Sequence, residues 1–538
     1  MSENKPERRR TLSTERLNAL RQRIAEAELA RLQRLAPRIL DPATAQRIEG
    51  GPVVRETWYV GQRLLVPRRN LDSRALRSLH ETAESLGWEL DTSDLDRDVP
   101  RQRGRLAAAR LEIRLGKSPS ATVPDAWILL QQARARHGRD AVQGVGLDHL
   151  LTLGDMVGNP YTAGHPYTAG HPYTAGHPYT AGHPYTAGHP WLGGSGAAIE
   201  TYGYPGSGGR QPVAFVGAAP VRSDGPSQGR RPVVALLDSG CGAHPWLDGV
   251  VNTQVELDGN TIGYTDPGTS PELHPDQDGP LDGELDVYSG HGTFIAGLVR
   301  QACPDADVVA WRITPAAGPI VESDLVDALS DIAELARRHR DGEPGGQAID
   351  VLVLSMGYYH ETLEDLAFDP ILYAPLQLLG ECGVTVVCSA GNDATDRPSF
   401  PAAFGPWGNG AGPITTAADA VPIVSVGALN PNGSVALFSN AGTWVRTYAP
   451  GASLLSTIPQ FQGGDEPLAR VEYEKRIRES EDPDDFRSGF ALWSGTSFSA
   501  PLLAGLLAGK LGPIVDDDRK AAVARAVAAL PPGVLTTP

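Results

Sequence analysis

The chain has 538 residues, of which 41% are hydrophobic and 21% are charged. This length predicts roughly two to four domains with sizeable apolar cores, and no apolar run approaches the roughly 20 residues of a membrane-spanning helix. The first ten residues are polar and basic with no apolar stretch after them, so we expect no secretory signal and a cytoplasmic location. The cysteines have no metal-ligand spacing, and as buried thiols they fit a reducing compartment. They are Cys241, Cys303, Cys382 and Cys388.

The net charge of −17 is distributed unevenly along the chain. Residues 1–150 carry a net charge of +7, and residues 151–538 carry −24. Opposite charge on the two parts favours docking of one on the other within the molecule, and two independent domains are the alternative. The basic part lacks an aromatic-rich basic patch and a nucleic-acid-binding motif, so its composition does not favour DNA or RNA as a partner.

The amino-terminal part divides into a charged helix and a small domain. Within residues 1–50, the stretch Thr14–Ala36 predicts one helix with a partial apolar stripe, which Pro37 ends. Residues 51–157 predict a small α/β domain in the order β-α-β-β-α. Its predicted elements are a strand at Glu56–Val66, a helix at Ser73–Leu86, a strand from Trp88, a strand within Leu106–Leu115 and a helix at Pro124–Ala135.

Residues 158–230 are rich in Gly, Pro and Ser and predict a linker. Within them, residues 160–189 are five copies of Pro-Tyr-Thr-Ala-Gly-His, a composition that opposes both helix and sheet. Polyproline conformation would separate successive histidines by roughly 19 Å and extend the repeat to roughly 90 Å. We therefore interpret the repeat as a tether, with metal or partner binding by its histidines as the alternative. These are His165, His171, His177, His183 and His189.

Two segments farther along place a carboxylate and a histidine at the ends of predicted elements. Val233 to Leu237 is an apolar run typical of a buried parallel strand, and Asp238 follows as that strand ends. Such an end faces the crevice where open α/β sheets place their sites, although an Asp that only turns the chain is equally compatible. His291 lies between two glycines at the start of an apolar helix, where the backbone can approach closely.

Three further segments complete the pattern. Val351 to Gly357 and Val384 to Cys388 are apolar strands, and Asn392 follows the second one. In the last segment, Gly495-Thr496-Ser497 delivers a hydroxyl at the start of a predicted helix, Ser499 to Leu511. A helix N-terminus favours negative charge, so a serine there can attack a carbonyl while nearby donors hold the oxyanion. Taken alone, a helix-capping serine explains this tripeptide as well.

These five segments, in this order, resemble the subtilases, the subtilisin-like serine proteases, over residues 231–512. The resemblance implies an α/β fold in which a parallel sheet has helices on both faces. It also implies that Ser497 is the nucleophile, His291 the general base, and Asp238 the group that orients and stabilises the imidazole. Asn392 and the backbone N–H of Ser497 would form the oxyanion hole. The substrate-binding residues would be Ser355, Met356, Gly357, Ser389, Ala390 and Gly391.

The same resemblance gives an interpretation of the residues outside the motifs. The element order of residues 51–157 is similar to the propeptide domain that precedes many subtilase catalytic domains, which assists folding and then blocks the cleft. A recognition domain for substrates or partners is the alternative. Within residues 231–512, Leu257–Tyr288 is rich in Asp and Glu and could bind calcium, although a solvated acidic loop explains it as well; no cofactor is required by the chemistry.

Gln462–Arg487 is charged, and we expect it to be partly helical and to border the cleft. A short helix is expected within the tail, residues 513–538. We therefore predict an intracellular subtilisin-like endopeptidase, acting on peptide or protein substrates and regulated by its own amino-terminal domain. Two other hypotheses remain open: a catalytically silent scaffold that binds peptides in the cleft, and a nucleic-acid-binding half fused to a protease.

Overall fold

The computed structural model describes residues 30–153 and 209–535, with short gaps between them. The gaps are residues 32, 49–50, 69–72, 97–105, 121, 278–282, 284, 316–317, 363–370, 465–466 and 468. Only the end of the predicted amino-terminal helix falls within the described residues, and residues 30–31 and 33–35 are helical there. The tether with its five repeat histidines lies outside the described residues.

Residues 37–153 form an antiparallel sheet with two helices on one face. The elements are β1 (Pro37–Leu40), β2 (Thr57–Pro67), α1 (Ser73–Ser85), β3 (Trp88–Asp91), β4 (Ala108–Leu115), α2 (Ala126–His137) and β5 (Gly146–Leu153). In this sheet the strand order is β5-β2-β4-β3, and β1 pairs with the first part of β2. The apolar faces of both helices are buried against the strands, with Leu79, Leu111 and Trp127 in one cluster.

Residues 209–535 are built around a parallel seven-stranded sheet. Its strands are β7 (Val233–Asp238), β8 (Val251–Asn252), β9 (Asp307–Arg312), β11 (Val351–Leu354), β13 (Thr385–Ser389), β15 (Val424–Leu429) and β16 (Thr447–Pro450). Their order in the sheet is β16-β15-β13-β11-β7-β9-β8. The described helices of this unit are α3 (His291–Ala302), α4 (Glu322–Arg340), α5 (Tyr373–Glu381), α6 (Thr496–Leu511) and α7 (Arg519–Ala529).

Helices cover both faces of this sheet. Alternate residues of a strand point to opposite faces, and on β7 the side chains of Ala235 and Leu237 pack in one apolar cluster with α4 and α5. Val234 and Leu236 pack in the other cluster with α3, α6 and α7. A strand that is buried on both faces explains the unbroken apolar run in the sequence.

The remaining strands are β6 (Gln211–Pro212), β10 (Ile320–Val321), β12 (Met356–Tyr359), β14 (Ser399–Phe400), β17 (Leu454–Thr457), β18 (Arg470–Tyr473), β19 (Arg476–Glu479) and β20 (Phe490–Trp493). A three-stranded antiparallel sheet has the order β17-β20-β6, and β18 pairs with β19 as a hairpin. The other three extend the amino-terminal sheet, because β10 and β12 pair with β5, and β14 pairs with β12.

Strand β5 joins the two units. Its first half pairs with β2 of its own unit, Leu150 and Leu151 pair with β10, and Thr152 and Leu153 pair antiparallel with Gly357 and Met356 of β12. The amino-terminal sheet therefore continues across β5 into the second unit, in the order β14-β12-β5-β2.

The structure corrects four expectations drawn from the sequence. Gln462–Arg487 is wrongly predicted to be partly helical, because its charged stretch pairs with itself as the β18–β19 hairpin. The run Val351–Gly357 is two strands in different sheets, since β11 lies in the parallel sheet and β12 pairs with β5. Strand β5 is absent from the predicted element order. Part of the predicted linker, from residue 209 onwards, contributes β6 to the second unit.

Candidate active site

Asp238 and His291 form a buried hydrogen-bonded pair. Asp238 is the last residue of β7, and its Oδ1 accepts from the backbone N–H of Ser239 at 2.7 Å. The same oxygen lies 2.7 Å from Nδ1 of His291, the first residue of α3. With Nδ1 held by a carboxylate, Nε2 is the ring nitrogen that can exchange a proton.

A glycine allows these two segments to approach each other. A Cβ on Gly292 would lie 1.9 Å from the carbonyl oxygen of Gly240 and 3.0 Å from Ser239 Oγ. The start of α3 therefore packs directly against the turn that follows Asp238, at a separation that any side chain at residue 292 would prevent.

Ser497 lies in the first turn of α6, which begins at Thr496 and thus three residues earlier than the sequence predicts. Its side chain lines one cavity together with His291 and Asn392, and its Oγ makes no hydrogen bond with any other residue that the structure describes. Ser355 Oγ donates to the Ser497 carbonyl oxygen at 2.9 Å, which fixes the backbone at this position.

Asn392 is oriented by its own hydrogen bonds. Its Oδ1 accepts from the backbone N–H and the hydroxyl of Thr496, at 2.8 and 2.9 Å. The Thr496 hydroxyl in turn accepts from the Gly391 N–H at 3.0 Å. Because the amide oxygen faces Thr496, the Nδ2 donor end is directed away from it, and Asn392 still lines the cavity of Ser497.

Aromatic rings surround the His291 imidazole. The ring centroids of Trp493 and Phe498 lie 5.6 and 5.2 Å from that of His291. Arg210 lies over Trp493, 4.7 Å from the ring centroid, and is fully buried. It donates to the carbonyl oxygens of Ser289, Leu285 and Asp286 at 2.6, 3.1 and 2.8 Å, and its burial lowers its pKa to about 9.

The residues predicted to bind substrate lie beside this cavity, though not all of them line it. A second cavity is lined by Met356, Gly357, Ser389 and Gly391. Of the other two, Ser355 contacts the Ser497 backbone, and the carbonyl oxygen of Ala390 accepts from Asn440 Nδ2 at 2.8 Å.

The end of β5 forms part of the wall of both cavities. Leu153 lines the cavity of His291, Asn392 and Ser497, and Thr152 lines the neighbouring one. Since both residues pair with β12, the amino-terminal unit contributes a strand that lies along the predicted substrate-binding edge.

Charged side chains join the two units behind this strand. His149 Nδ1 lies 2.6 Å from Glu322 Oε2, and His149 Nε2 lies 2.8 Å from Glu361 Oε2. Burial alone would lower the pKa of His149, but the two carboxylates override it and raise the pKa well above its usual value. Burial opposes ionisation of Glu361 as well, yet His360 and His149 lower its pKa to about 2.

Contacts of opposite charge continue on either side of His149. The Arg110 guanidinium lies 3.0 Å from Asp324 and 3.1 Å from Asp327. Asp148 accepts from the backbone N–H and hydroxyl of Ser323, both at 2.9 Å, at the start of α4. Burial raises the pKa of Asp148, which Arg63 and Arg110 offset only in part.

Across the described part of the chain, one group of His, Cys, Asp or Glu side chains is arranged closely enough to hold a metal ion. It consists of His149, His360 and Glu361, all buried. Both ring nitrogens of His149 are already within hydrogen-bond distance of carboxylates, so we interpret the group as ion-paired. The acidic loop contributes no such group through its described residues; for example, Asp258 of this loop pairs with Arg338.

Sequence reasoning missed three residues of this region. Leu153 carries no motif, and its position follows only from the pairing of β5 with β12. Arg210 falls in what the sequence predicts to be linker. Glu272 was not distinguished from the other acids of its loop, although it is only 3% exposed and accepts hydrogen bonds at the base of the site. No local pattern marks any of the three.

A family model described as the subtilase family matches residues 229–511, just over half of the 538-residue chain.

The chain belongs to the subtilase family.

Among curated relatives of this subtilase is the "Intracellular serine protease" of Paenibacillus polymyxa, 25% identical over 52% of this chain and 67% of the relative. Another is the "Major intracellular serine protease" of Bacillus subtilis (strain 168), also 25% identical, over 44% of this chain and 63% of the relative. The match thus spans about two thirds of these relatives. A solved cold-adapted subtilisin-like serine proteinase is similar at 18% identity and a TM-score of 0.36, covering 62% of this chain and 95% of that one.

None of the helices described for this subtilase combines the length and the apolar character that crossing a membrane demands.

Proposed function

We propose that this subtilase is a serine endopeptidase whose own amino-terminal unit inhibits it. The observation that carries the catalytic part is the Asp238–His291 hydrogen bond beside a cavity that His291, Ser497 and Asn392 share. An acid, a base and a nucleophile brought together from three segments far apart in the chain are the arrangement that acyl transfer requires.

In this proposal each group has one role. Ser497 Oγ attacks the carbonyl carbon of the scissile bond while His291 Nε2 takes its proton, and the imidazolium later protonates the leaving amine. Asp238 fixes the tautomer through Nδ1 and stabilises the imidazolium. Asn392 Nδ2 and the Ser497 backbone N–H donate to the oxygen that becomes negative.

Peptides or proteins are the substrate class that this cleft suits. Strand β12 offers its backbone at Met356 and Gly357 to an antiparallel partner, as its pairing with β5 illustrates. An extended peptide can pair in the same way, and such pairing is independent of side-chain identity. Thr152 of β5 borders the cavity lined by Ser389 and Gly391, and a substrate side chain would lie there once β5 had left.

Inhibition by the amino-terminal unit is supported by competition for that edge. Thr152 and Leu153 pair with the residues on which a substrate strand would lie, and Leu153 reaches the cavity of Ser497. A peptide can therefore enter only after β5 has left β12. The ion pairs of Arg110 and His149 hold β5 in place from its own side of the interface.

A cytoplasmic location also belongs to this proposal. It draws on the two bacterial relatives whose names call them intracellular serine proteases.

A fluorophosphonate probe tests the catalytic proposal, because it reacts covalently with an activated serine. We expect labelling to be slow in the full-length chain and fast once the amino-terminal unit has been removed, and the Ser497→Ala variant to remain unlabelled in both forms. The probe should be applied after the amino-terminal unit has been removed as well as before. Absence of labelling in both forms would favour the peptide-binding scaffold instead.

A cleavable tether tests the inhibition. A recognition sequence for a site-specific protease is placed within residues 160–189 of the full-length chain, which is then cut and diluted. Peptide hydrolysis should rise with dilution as the unit dissociates, and adding the unit back should reverse the rise. Activity that is the same before cutting, after cutting and after dilution would contradict inhibition, although labelling of Ser497 would still support the protease.

A further inference from the structure

Glu272 is a buried carboxylate at the base of the candidate active site. It belongs to the acidic loop Leu257–Tyr288, yet only 3% of its surface is exposed. Its two oxygens contact both segments that carry the Asp238–His291 pair. Ser239 follows Asp238 directly, and Gly292 and Thr293 follow His291 directly; all three donate to Glu272.

The hydrogen bonds around Glu272 show where the hydroxyl protons of Ser239 and Thr293 point. Ser239 Oγ lies 2.5 Å from Glu272 Oε1 and accepts from the Gly292 N–H at 2.7 Å. Thr293 Oγ1 lies 2.5 Å from Glu272 Oε2 and accepts from the Gly242 N–H at 2.7 Å. Each hydroxyl thus accepts from the backbone and directs its own proton at the carboxylate, which acts as acceptor on both oxygens.

Glu272 also replaces the missing cap of helix α3. The residue before His291 is Gly290, which has no side chain to bond the first turn. The N–H of Gly292 is instead shared between Ser239 Oγ and Glu272 Oε1, at 2.7 and 2.9 Å. A carboxylate at a helix N-terminus satisfies an N–H group that lacks an intrahelical partner and interacts favourably with the helix dipole. The orientation of His291, the first residue of the helix, is therefore tied to Glu272.

We propose that Glu272 is a positioning residue for catalysis, which holds the Asp238 turn and the His291 helix in one register through Ser239, Gly292 and Thr293. This inference rests on the proposed roles of Asp238 and His291. Glu272 does not touch the reacting atoms. It fixes the two segments whose relative position determines the Asp238–His291 hydrogen bond, and misplacement of such a pair lowers the rate of the chemical step while leaving substrate binding intact.

Three variants of the full-length chain with a cleavable tether test this inference after cutting and dilution. Glu272→Gln is isosteric and keeps one accepting oxygen, Glu272→Asp is one methylene shorter, and Glu272→Ala removes every contact. We expect kcat per labelled site to fall about tenfold to hundredfold in Glu272→Ala, the loss for hydrogen bonds to a charged group. KM should stay within about twofold, and Glu272→Gln should restore part of kcat.

Asp266→Ala is the matched control, since Asp266 is an exposed acid of the same loop whose side chain accepts from Gly268 N–H. It should leave kcat and KM unchanged. Counting labelled sites with fluorophosphonate separates misfolded from folded enzyme. A Glu272→Ala chain with a lower unfolding midpoint but unchanged kcat per labelled site would overturn the inference in favour of a purely structural role. An inactive, unlabelled parent would instead refute the proposed function itself.

Discussion

Replacing His149 by Asn should release inhibition in the full-length chain. The side chains of His149, Glu322 and Glu361 are 0%, 1% and 2% exposed, so the substitution leaves at least one buried carboxylate without its charged partner. Removing one member of a buried ion pair destabilises a structure by about 3–5 kcal/mol. Here that loss falls on the docked state, because His149 meets the two carboxylates only across the interface.

A loss of this size corresponds to an increase of roughly 100- to 4,000-fold in the undocked fraction, until undocking is complete. The assay is the rate of fluorophosphonate labelling of uncut chain, which is proportional to that fraction. His137→Asn is the control, because His137 belongs to the same unit and lies 3.9 Å from Glu81 of that unit rather than from a residue across the interface. Equal labelling rates for His149→Asn, His137→Asn and wild type would refute the reasoning, provided that cutting and dilution still activate the wild type.

Three other outcomes follow from the same contacts. Since Glu322 and Glu361 raise the pKa of His149 above its usual value despite burial, docking takes up a proton. When the separated amino-terminal unit is added back to the cut enzyme, its inhibition should be strongest below about pH 6.5 and weaken by up to tenfold per pH unit above that value. Inhibition constants that do not change between pH 6 and 9 would contradict this. Asn392→Ala should lower kcat by about 10²–10³-fold with little change in KM, the size recorded for one such donor in another subtilase; steady-state kinetics that give an unchanged kcat would remove Asn392 from the oxyanion hole. Arg210→Met should lower the free energy of unfolding by about 2–4 kcal/mol in urea titration, because buried carbonyl oxygens lose the guanidinium that donates to them. An unchanged urea midpoint would mean that water donates to these oxygens in place of Arg210.

The elements that the sequence predicts well are those whose pattern is local. Strand β7 is buried on both faces and is therefore continuously apolar, and α1 begins at the residue that the sequence predicts. Both predictions succeed because the pattern of apolar and polar residues within a strand or helix is set by that element alone. Asp238, His291 and Ser497 lie at the ends of such elements, and the resemblance to the subtilases assigns roles to them and to Asn392. That His291 meets Asp238, and that Asn392 and Ser497 share its cavity, depends on the sheet order, which only the structure provides.

The features that the sequence does not predict depend on contacts between distant segments. Strand β5 includes Asp148 and His149, two buried polar residues that hydrogen-bond to Glu322, Glu361 and Ser323 of the other unit. The β18–β19 hairpin is exposed and charged, and such a stretch satisfies the pattern of a solvated helix equally well. In each case the deciding partner lies far away in sequence, where periodicity carries no information.

Cutting the tether should not by itself activate the protein for long. A tether raises the effective concentration of the docked unit to about a millimolar, and cutting it removes only that contribution. Strand β5 would still pair with β12, and the ion pairs of Arg110 and His149 would still hold it there. Since the substrate and β5 compete for one edge, lasting activity requires that the unit be diluted away or destroyed. Any cut must also fall before Arg210, whose contacts to Trp493 and to the carbonyl oxygens before His291 support the site itself.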